Sequence, residues 1–154
     1  MKQEADLKKE IIEYGRLCGV KNFTPGISGN MSARFGENVI ITSSGSANGY
    51  LSEDEFSIID MNGKVVGGHP KPSSEYKVHL AFYKKRSDVN YIIHVHAPNL
   101  SSFASSGIAL TEPIMAENVY YFGEIPLAEY GLPSSDDLAE KTSQYFDKYN
   151  AVLM

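Results

Sequence analysis

Residues 31–42 read Met-Ser-Ala-Arg-Phe-Gly-Glu-Asn-Val-Ile-Ile-Thr: two short runs suited to pleated strands on either side of a Gly-Glu pair. A glycine at such a join gives the chain the freedom that a tight turn needs. The spacing predicts strands over 31–35 and 38–42 with a turn at Gly36-Glu37. A similar pattern recurs downstream, where Phe56–Asp60 is followed by Met61-Asn62-Gly63-Lys64 and then Val65-Val66. Asn-Gly between apolar runs is a strong hairpin signal, so a second pair of strands is expected there.

Helical segments flank these strands. Leu7, Ile11, Tyr14 and Cys18 fall at helical spacing with Lys and Glu between them, which predicts an amphipathic helix over 4–18, ended by Gly19. Ser73 is placed to cap a helix that reaches about Lys85. Tyr91–His96 reads as a strand closed by Ala97-Pro98, and Pro98 opens a helix that ends near Gly107. Residues 108–131 are mixed, with Pro113, Pro126 and the aromatic cluster Tyr120, Tyr121 and Phe122. Ser134 or Ser135 caps a final helix from about Asp136 to Tyr149. Ala151–Met154 reads as the first part of a buried strand, and the natural chain is therefore expected to continue past Met154. No repeat, low-complexity tract or linker divides residues 1–154, so a single domain is expected.

Composition narrows the function. The chain has 154 residues, 42% of them apolar, enough to form a core. Its formal net charge is −5, which disfavours nucleic acid and anionic membranes as partners, since both call for a basic face. A phosphate can still be held, because local amides and hydroxyls act at short range. The single cysteine, Cys18, sits in the first helical stretch and reads as a buried structural thiol. The opening MKQEADLKKE lacks the apolar stretch of a signal peptide, and there is no membrane-length apolar run. A soluble, cytoplasmic protein is expected.

The chemistry-bearing residues lie in the loops and at one strand end. His94 and His96 form H-x-H; residues i and i+2 share one face of a strand, so both imidazoles can point the same way. That geometry suits two ligands of zinc or another transition metal, and it equally suits two polar residues on an exposed face. Glu75 can serve as a general base beside them, or as a carboxylate that complements a helix N-terminus. His79, at i+4 from Glu75, can orient it or sit half-buried in the core. His69 reads as a surface residue. Ser28-Gly29-Asn30, Ser43-Ser44-Gly45 and Ser73-Ser74 supply small hydroxyls, an amide and accessible backbone N–H groups. Brought together, they would cradle a phosphate without Lys or Arg.

The ordered series SGN (28–30), ITSSG (41–45), KPSSE (71–75) and HVHAP (94–98) resembles the class II aldolase/adducin family. The later stretch PIMAENVYYFGEIPLAEYG (113–131) and the NAVLM at 150–154 are similar to that family too. The resemblance runs from about Lys8 to the end. It implies an α/β fold: a mostly antiparallel central sheet flanked by helices on both faces, in three layers. It also implies that Gly29, Asn30, Ser44, Gly45, Ser73 and Ser74 bind the substrate phosphate, that Glu75 is the catalytic acid/base, and that His94 and His96 are zinc ligands. A third ligand histidine is then expected beyond Met154, with one Zn2+ per subunit and a homotetramer. The implied activity is aldol cleavage of a ketose 1-phosphate, such as fuculose 1-phosphate, to dihydroxyacetone phosphate and an aldehyde. Chemistry like that of ribulose-phosphate 4-epimerase or of methylthioribulose-phosphate dehydratase uses the same parts. A non-catalytic, adducin-like interaction domain is the alternative of another class. Tyr120 and Tyr121 can line the outer pocket or pack in a core.

Overall fold

The structure is a computed structural model that describes residues 2–154. Five strands form one sheet: β1 (Asn30–Phe35), β2 (Asn38–Thr42), β3 (Phe56–Asp60), β4 (Val65–Gly68) and β5 (Tyr91–His94). Their order is β4-β3-β2-β1-β5, and every neighbouring pair is antiparallel. Both expected hairpins form. β1 and β2 turn at Gly36, whose φ is +60°; β3 and β4 turn at Gly63, whose φ is +84°.

Alternation along β1 and β2 builds a core on each face of the sheet. Met31, Ala33 and Ile40 join Leu7, Ile11, Leu51 and Phe56 beneath the long helix α1 (Glu4–Val20). Val39 and Ile41 turn the other way, packing with Ile59, Leu80 and Tyr83 against α2 (Tyr76–Lys85). The expected antiparallel sheet with helices on both faces is what the chain forms. Among the described residues no helix is long and apolar enough to cross a membrane.

Several boundaries differ from expectation for local reasons. Gly19 does not end α1, which runs to Val20. It serves close packing instead: a Cβ there would lie 2.7 Å from Gly49 Cα, and one on Gly15 would collide with the Asn48 carbonyl oxygen. Two glycines thus let α1 settle on the 3₁₀ turn at Asn48–Tyr50. β5 stops at His94 rather than His96. Its neighbour β1 begins opposite, at Asn30, and the chain before that turns away at Gly29. His96 N–H donates instead to the Phe23 carbonyl, at 2.8 Å. Ser73 is not the cap of α2; Glu75 holds the N-cap position, with φ −90° and ψ 9°.

The remaining helices are α3 (Pro98–Ser105), α4 (Ala116–Tyr121) and α5 (Asp136–Ser143). Ser135 caps α5 by accepting from Leu138 N–H at 3.1 Å. α5 is shorter than expected, because beyond Ser143 the chain tightens into three-residue turns. Lys85 Nζ donates to the Ser143 carbonyl at 2.7 Å, and Phe146 packs on Phe82 with ring centroids 4.2 Å apart. Leu153 is buried and makes an isolated parallel bridge to Leu127, while the expected strand over 151–154 does not form.

Candidate functional site

The nine residues to which the family resemblance assigns roles line one cleft of about 240 Å3. Gly29, Asn30, Ser44, Gly45, Ser73, Ser74, Glu75, His94 and His96 all face it, with Ile27 and Ser43 beside them. Backbone pairing brings the loops together. Ser44 N–H donates to the Lys71 carbonyl at 3.0 Å and Ser73 N–H to the Thr42 carbonyl at 2.9 Å, so the second serine loop lies along the third. The first loop is tied to β5 by close approach. Gly29 has φ +74°, and a Cβ there would lie 2.5 Å from the His94 carbonyl oxygen, so only glycine fits. Buried Asn48 fastens the same loop from behind, its amide donating to the carbonyls of Ser28 and Gly29 at 2.9 and 2.8 Å. Among the described residues neither Lys nor Arg lines the cleft; its polar lining is hydroxyl, amide, imidazole and carboxylate.

His94 and His96 stand side by side, with ring centroids 5.0 Å apart and planes at 25°. The end of β5 between them has not parted the pair. His94 turns Nδ1 towards Asn30 Nδ2, at 3.3 Å, and Glu75 Oε2, at 3.6 Å. This leaves Nε2 as the nitrogen open to the cleft. Burial first, and then the neighbouring His96, push the His94 pKa down to about 4. His94 is therefore neutral at neutral pH, and its approach to Glu75 is a dipolar contact rather than an ion pair. A neutral imidazole is also the form that ligates a metal. Two imidazoles so arranged suit two positions in the shell of a divalent cation. Among the described residues no set of three His, Cys, Asp or Glu comes together around such a point. Water or substrate oxygens can take further positions.

Glu75 is mostly buried and anchored on its other side: Oε1 accepts from Ser134 N–H at 3.1 Å. Ser134 itself holds φ +67°, an uncommon conformation for serine. Glu75 sits in the bridge region of backbone space, where residues that aim a side chain into a site often sit.

Other candidates lie elsewhere. His69 is in its loop, half-buried, with Nδ1 against the Lys71 backbone. Cys18 is half-buried, and burial raises its thiol pKa, as suits an inert thiol. Tyr120 and Tyr121 stand 82% and 65% exposed, edge to face with each other and away from the cleft. His79 is fully buried, and it faces Asn30 and Ser32 rather than Glu75. Asn48 carries no mark in the sequence and Ser134 reads there only as a candidate helix cap, yet they position Gly29 and Glu75. A larger apolar groove of about 520 Å3 lies between α1 and β5, rimmed by Lys2, Glu10 and Tyr91. It has no convergent histidines or phosphate-sized hydroxyl cradle.

A sheet, two covering helices and a cleft of hydroxyl loops with paired imidazoles define a class of domain, and known proteins agree with it. The family model for the class II aldolase and adducin N-terminal domain matches residues 9–154. The L-fuculose phosphate aldolase of Methanocaldococcus jannaschii is 34% identical over 137 residues, 89% of this chain and 74% of that protein. The 3-oxo-tetronate 4-phosphate decarboxylase of Haemophilus influenzae is 33% identical over 88% of this chain and 67% of its own length. A solved structure of an L-fuculose 1-phosphate aldolase superposes with a TM-score of 0.89 at 30% identity, covering 99% of this chain and 72% of that one. The chain belongs to the class II aldolase and adducin N-terminal domain family. Class II aldolases generally use a divalent metal and act on sugar phosphates, and the cleft's donor set is compatible with both.

Proposed function

We propose that this protein is a zinc-dependent aldolase that cleaves a ketose 1-phosphate, of the fuculose 1-phosphate kind, to dihydroxyacetone phosphate and an aldehyde. The observation that carries the reading is the convergence of Glu75, His94, His96 and three hydroxyl-bearing loops on one small cleft. In this reading Gly29, Asn30, Ser44, Gly45, Ser73 and Ser74 hold the phosphate, through small hydroxyls, an amide and those loop N–H groups that have no partner within the protein. That grip fixes the sugar's orientation and makes the chemistry effectively unimolecular. His94 and His96 would hold a divalent cation, which would supply Lewis acidity for the charge that develops on the substrate. As the C3–C4 bond breaks, its electron pair passes to the dihydroxyacetone phosphate half and the C4 hydroxyl gives up its proton to form the aldehyde. Glu75 receives that proton through water and delivers it to C3, so charge and atoms balance. Ser134 N–H holds one carboxylate oxygen, which leaves the other to face the reacting carbon. The proposal includes residues 1–154 acting as one domain, a cytoplasmic location and a homotetrameric assembly.

A second reading is favoured by the decarboxylase relative, whose identity nearly equals that of the aldolase relative. Loss of CO2 beside a carbonyl leaves the same kind of electron-rich carbon for Glu75 to protonate. Product analysis separates the two: triose phosphate and an aldehyde for the aldolase, CO2 for the decarboxylase. The decisive variant is Glu75→Gln, for which turnover should fall on the order of 100-fold or more while the fold stays intact. Unchanged turnover would remove Glu75 from the chemistry. Failure to bind any sugar phosphate would favour an interaction domain instead.

A further inference from the structure

Behind the cleft, three buried polar groups that the reaction does not use, Tyr83, Ser32 and His79, connect in a chain to Asn30 and His94. Tyr83 Oη lies 2.9 Å from Ser32 Oγ, and Ser32 Oγ lies 2.6 Å from His79 Nδ1. His79 Nε2 lies 2.6 Å from Asn30 Oδ1, and Asn30 Nδ2 lies 3.3 Å from His94 Nδ1. Ser32, His79 and Tyr83 are at most 2% exposed and Asn30 is 5% exposed, so water does not compete for these groups. Burial, above all, pushes the His79 pKa down to about 3, so the ring is neutral, donating through one nitrogen and accepting through the other. This makes the chain directional.

Two directions are possible. In the first, Tyr83 donates to Ser32, Ser32 donates to His79 Nδ1, and His79 Nε2–H donates to Asn30 Oδ1. Asn30 Nδ2–H then donates to His94 Nδ1, and the His94 proton resides on Nε2. In the second, the Asn30 carboxamide is turned end for end. His94 Nδ1–H donates to Asn30 Oδ1, Asn30 Nδ2–H donates to His79 Nε2, and His79 Nδ1–H donates to Ser32 Oγ. Only the second leaves the His94 Nε2 lone pair free. It also takes the His79 acceptor away from the Ser32 and Tyr83 hydroxyls, which can donate only one to the other, so one of the two hydroxyl protons is left without an acceptor. A buried donor without a partner is costly, so the first direction is the resting one.

We propose that His79 is a positioning residue that governs, through Asn30, which ring nitrogen of His94 is free, and that the whole relay reverses when His94 takes up a divalent cation. This rests on the reading of His94 as a metal ligand. A ligand histidine commonly has its second nitrogen fixed by a hydrogen-bond partner. Here that partner is itself set by a buried tautomer one step further back.

The test uses the 154-residue chain with 15N-labelled histidine, its ring nitrogens followed by long-range 1H–15N correlation spectra at neutral pH with and without one equivalent of Zn2+. Without zinc, His79 should be in the Nε2–H form. With zinc, the His94 signals should report ligation through Nε2, and His79 should switch to the Nδ1–H form. The variant Asn30→Asp offers a carboxylate that accepts from both rings at once. In it His79 should stay Nε2–H with zinc bound, and zinc affinity should rise on the order of 10-fold. Zinc on His94 with His79 unmoved in the natural sequence would overturn the relay alone. Zinc bound to the chain without any change in the His94 signals would overturn the relay together with the metal reading of the cleft.

Discussion

The two faces of β1 are made from alternate residues of one strand, yet they do different work. Met31 and Ala33 join Ile40, Phe56 and Leu7 in a dry layer beneath α1. Ser32 and Arg34 face α2. Ser32 meets His79 and Tyr83, while Arg34 lies over the Tyr83 ring and donates to the carbonyls of Tyr83, Arg86 and Val89. The first face gains from burial alone. The second interrupts an apolar core with polar groups that partner one another, directly behind Asn30 and His94. Polar burial is tolerated when each group finds a partner, and here the partners also brace the cleft. Stability and site support have been divided between the two sides of one strand.

Substitution on the dry face should have the largest effect on folding. Phe56 is fully buried under α1, and Phe56→Ala removes its packing without touching the cleft. Urea unfolding should show a loss of about 3–5 kcal/mol. Equilibrium binding of a ketose phosphate should be unchanged under conditions where the variant remains folded. A loss below about 1 kcal/mol would mean that the dry face is not the main store of stability.

Acid should act on the polar face. His79 and His94 have folded pKa values of about 3 and about 4, both depressed below the ordinary value of 6.5. Between those limits the unfolded chain binds more protons than the folded one, so stability rises with pH. The contribution is present above pH 6.5 and is lost as pH falls, on the order of a few kcal/mol by pH 4. Unfolding free energies from pH 7 to pH 5 isolate this effect, because most unfolded carboxylates titrate lower. A flat profile over that range would show that the fold does not hold these imidazoles neutral.

A smaller loss should follow from Ser32→Ala. The change removes one oxygen and leaves His79 Nδ1 and Tyr83 Oη without each other's bridge, which should cost about 1–3 kcal/mol. Unlike Phe56→Ala, it should also move the ring 15N shifts of His94. A Ser32→Ala protein with normal His94 signals would break the proposed division of labour.

The hairpins, both covering helices and the cleft-lining residues were legible because each is a local pattern. Strand runs flank Gly36 and Gly63, and the four motifs carry their own small side chains. What escaped is what depends on distant neighbours. Gly19 looks like a helix stop, but its meaning lies in Gly49, thirty residues on. H-x-H reads as a full strand, but the strand ends at His94 because its partner begins at Asn30. Glu75 is visible in KPSSE, whereas Ser134, which holds it, comes from a loop almost sixty residues away and owes its role to a backbone conformation. His79 illustrates both sides. Its i+4 spacing from Glu75 suggested a shared face, but Asn30 and Ser32, reaching in from β1, claim both ring nitrogens.

The smallest effect is expected at the aromatic cluster that stood out most plainly in the sequence. Tyr121 is 65% exposed on α4, and among the described residues its ring partner is Tyr120, which is 82% exposed. Neither buries enough surface to matter to the folded monomer, so Tyr121→Ala should change unfolding free energy by less than about 0.5 kcal/mol. If the pair shapes the path of the aldehyde half, the change will appear as a shifted ratio of kcat/KM between two ketose phosphates, with stability untouched. A stability loss well above that figure, growing with protein concentration, would instead mean that α4 is covered in solution by another copy of the chain. Exposed aromatic residues would then have to be counted with the dry face of β1, as stores of burial, rather than with the cleft.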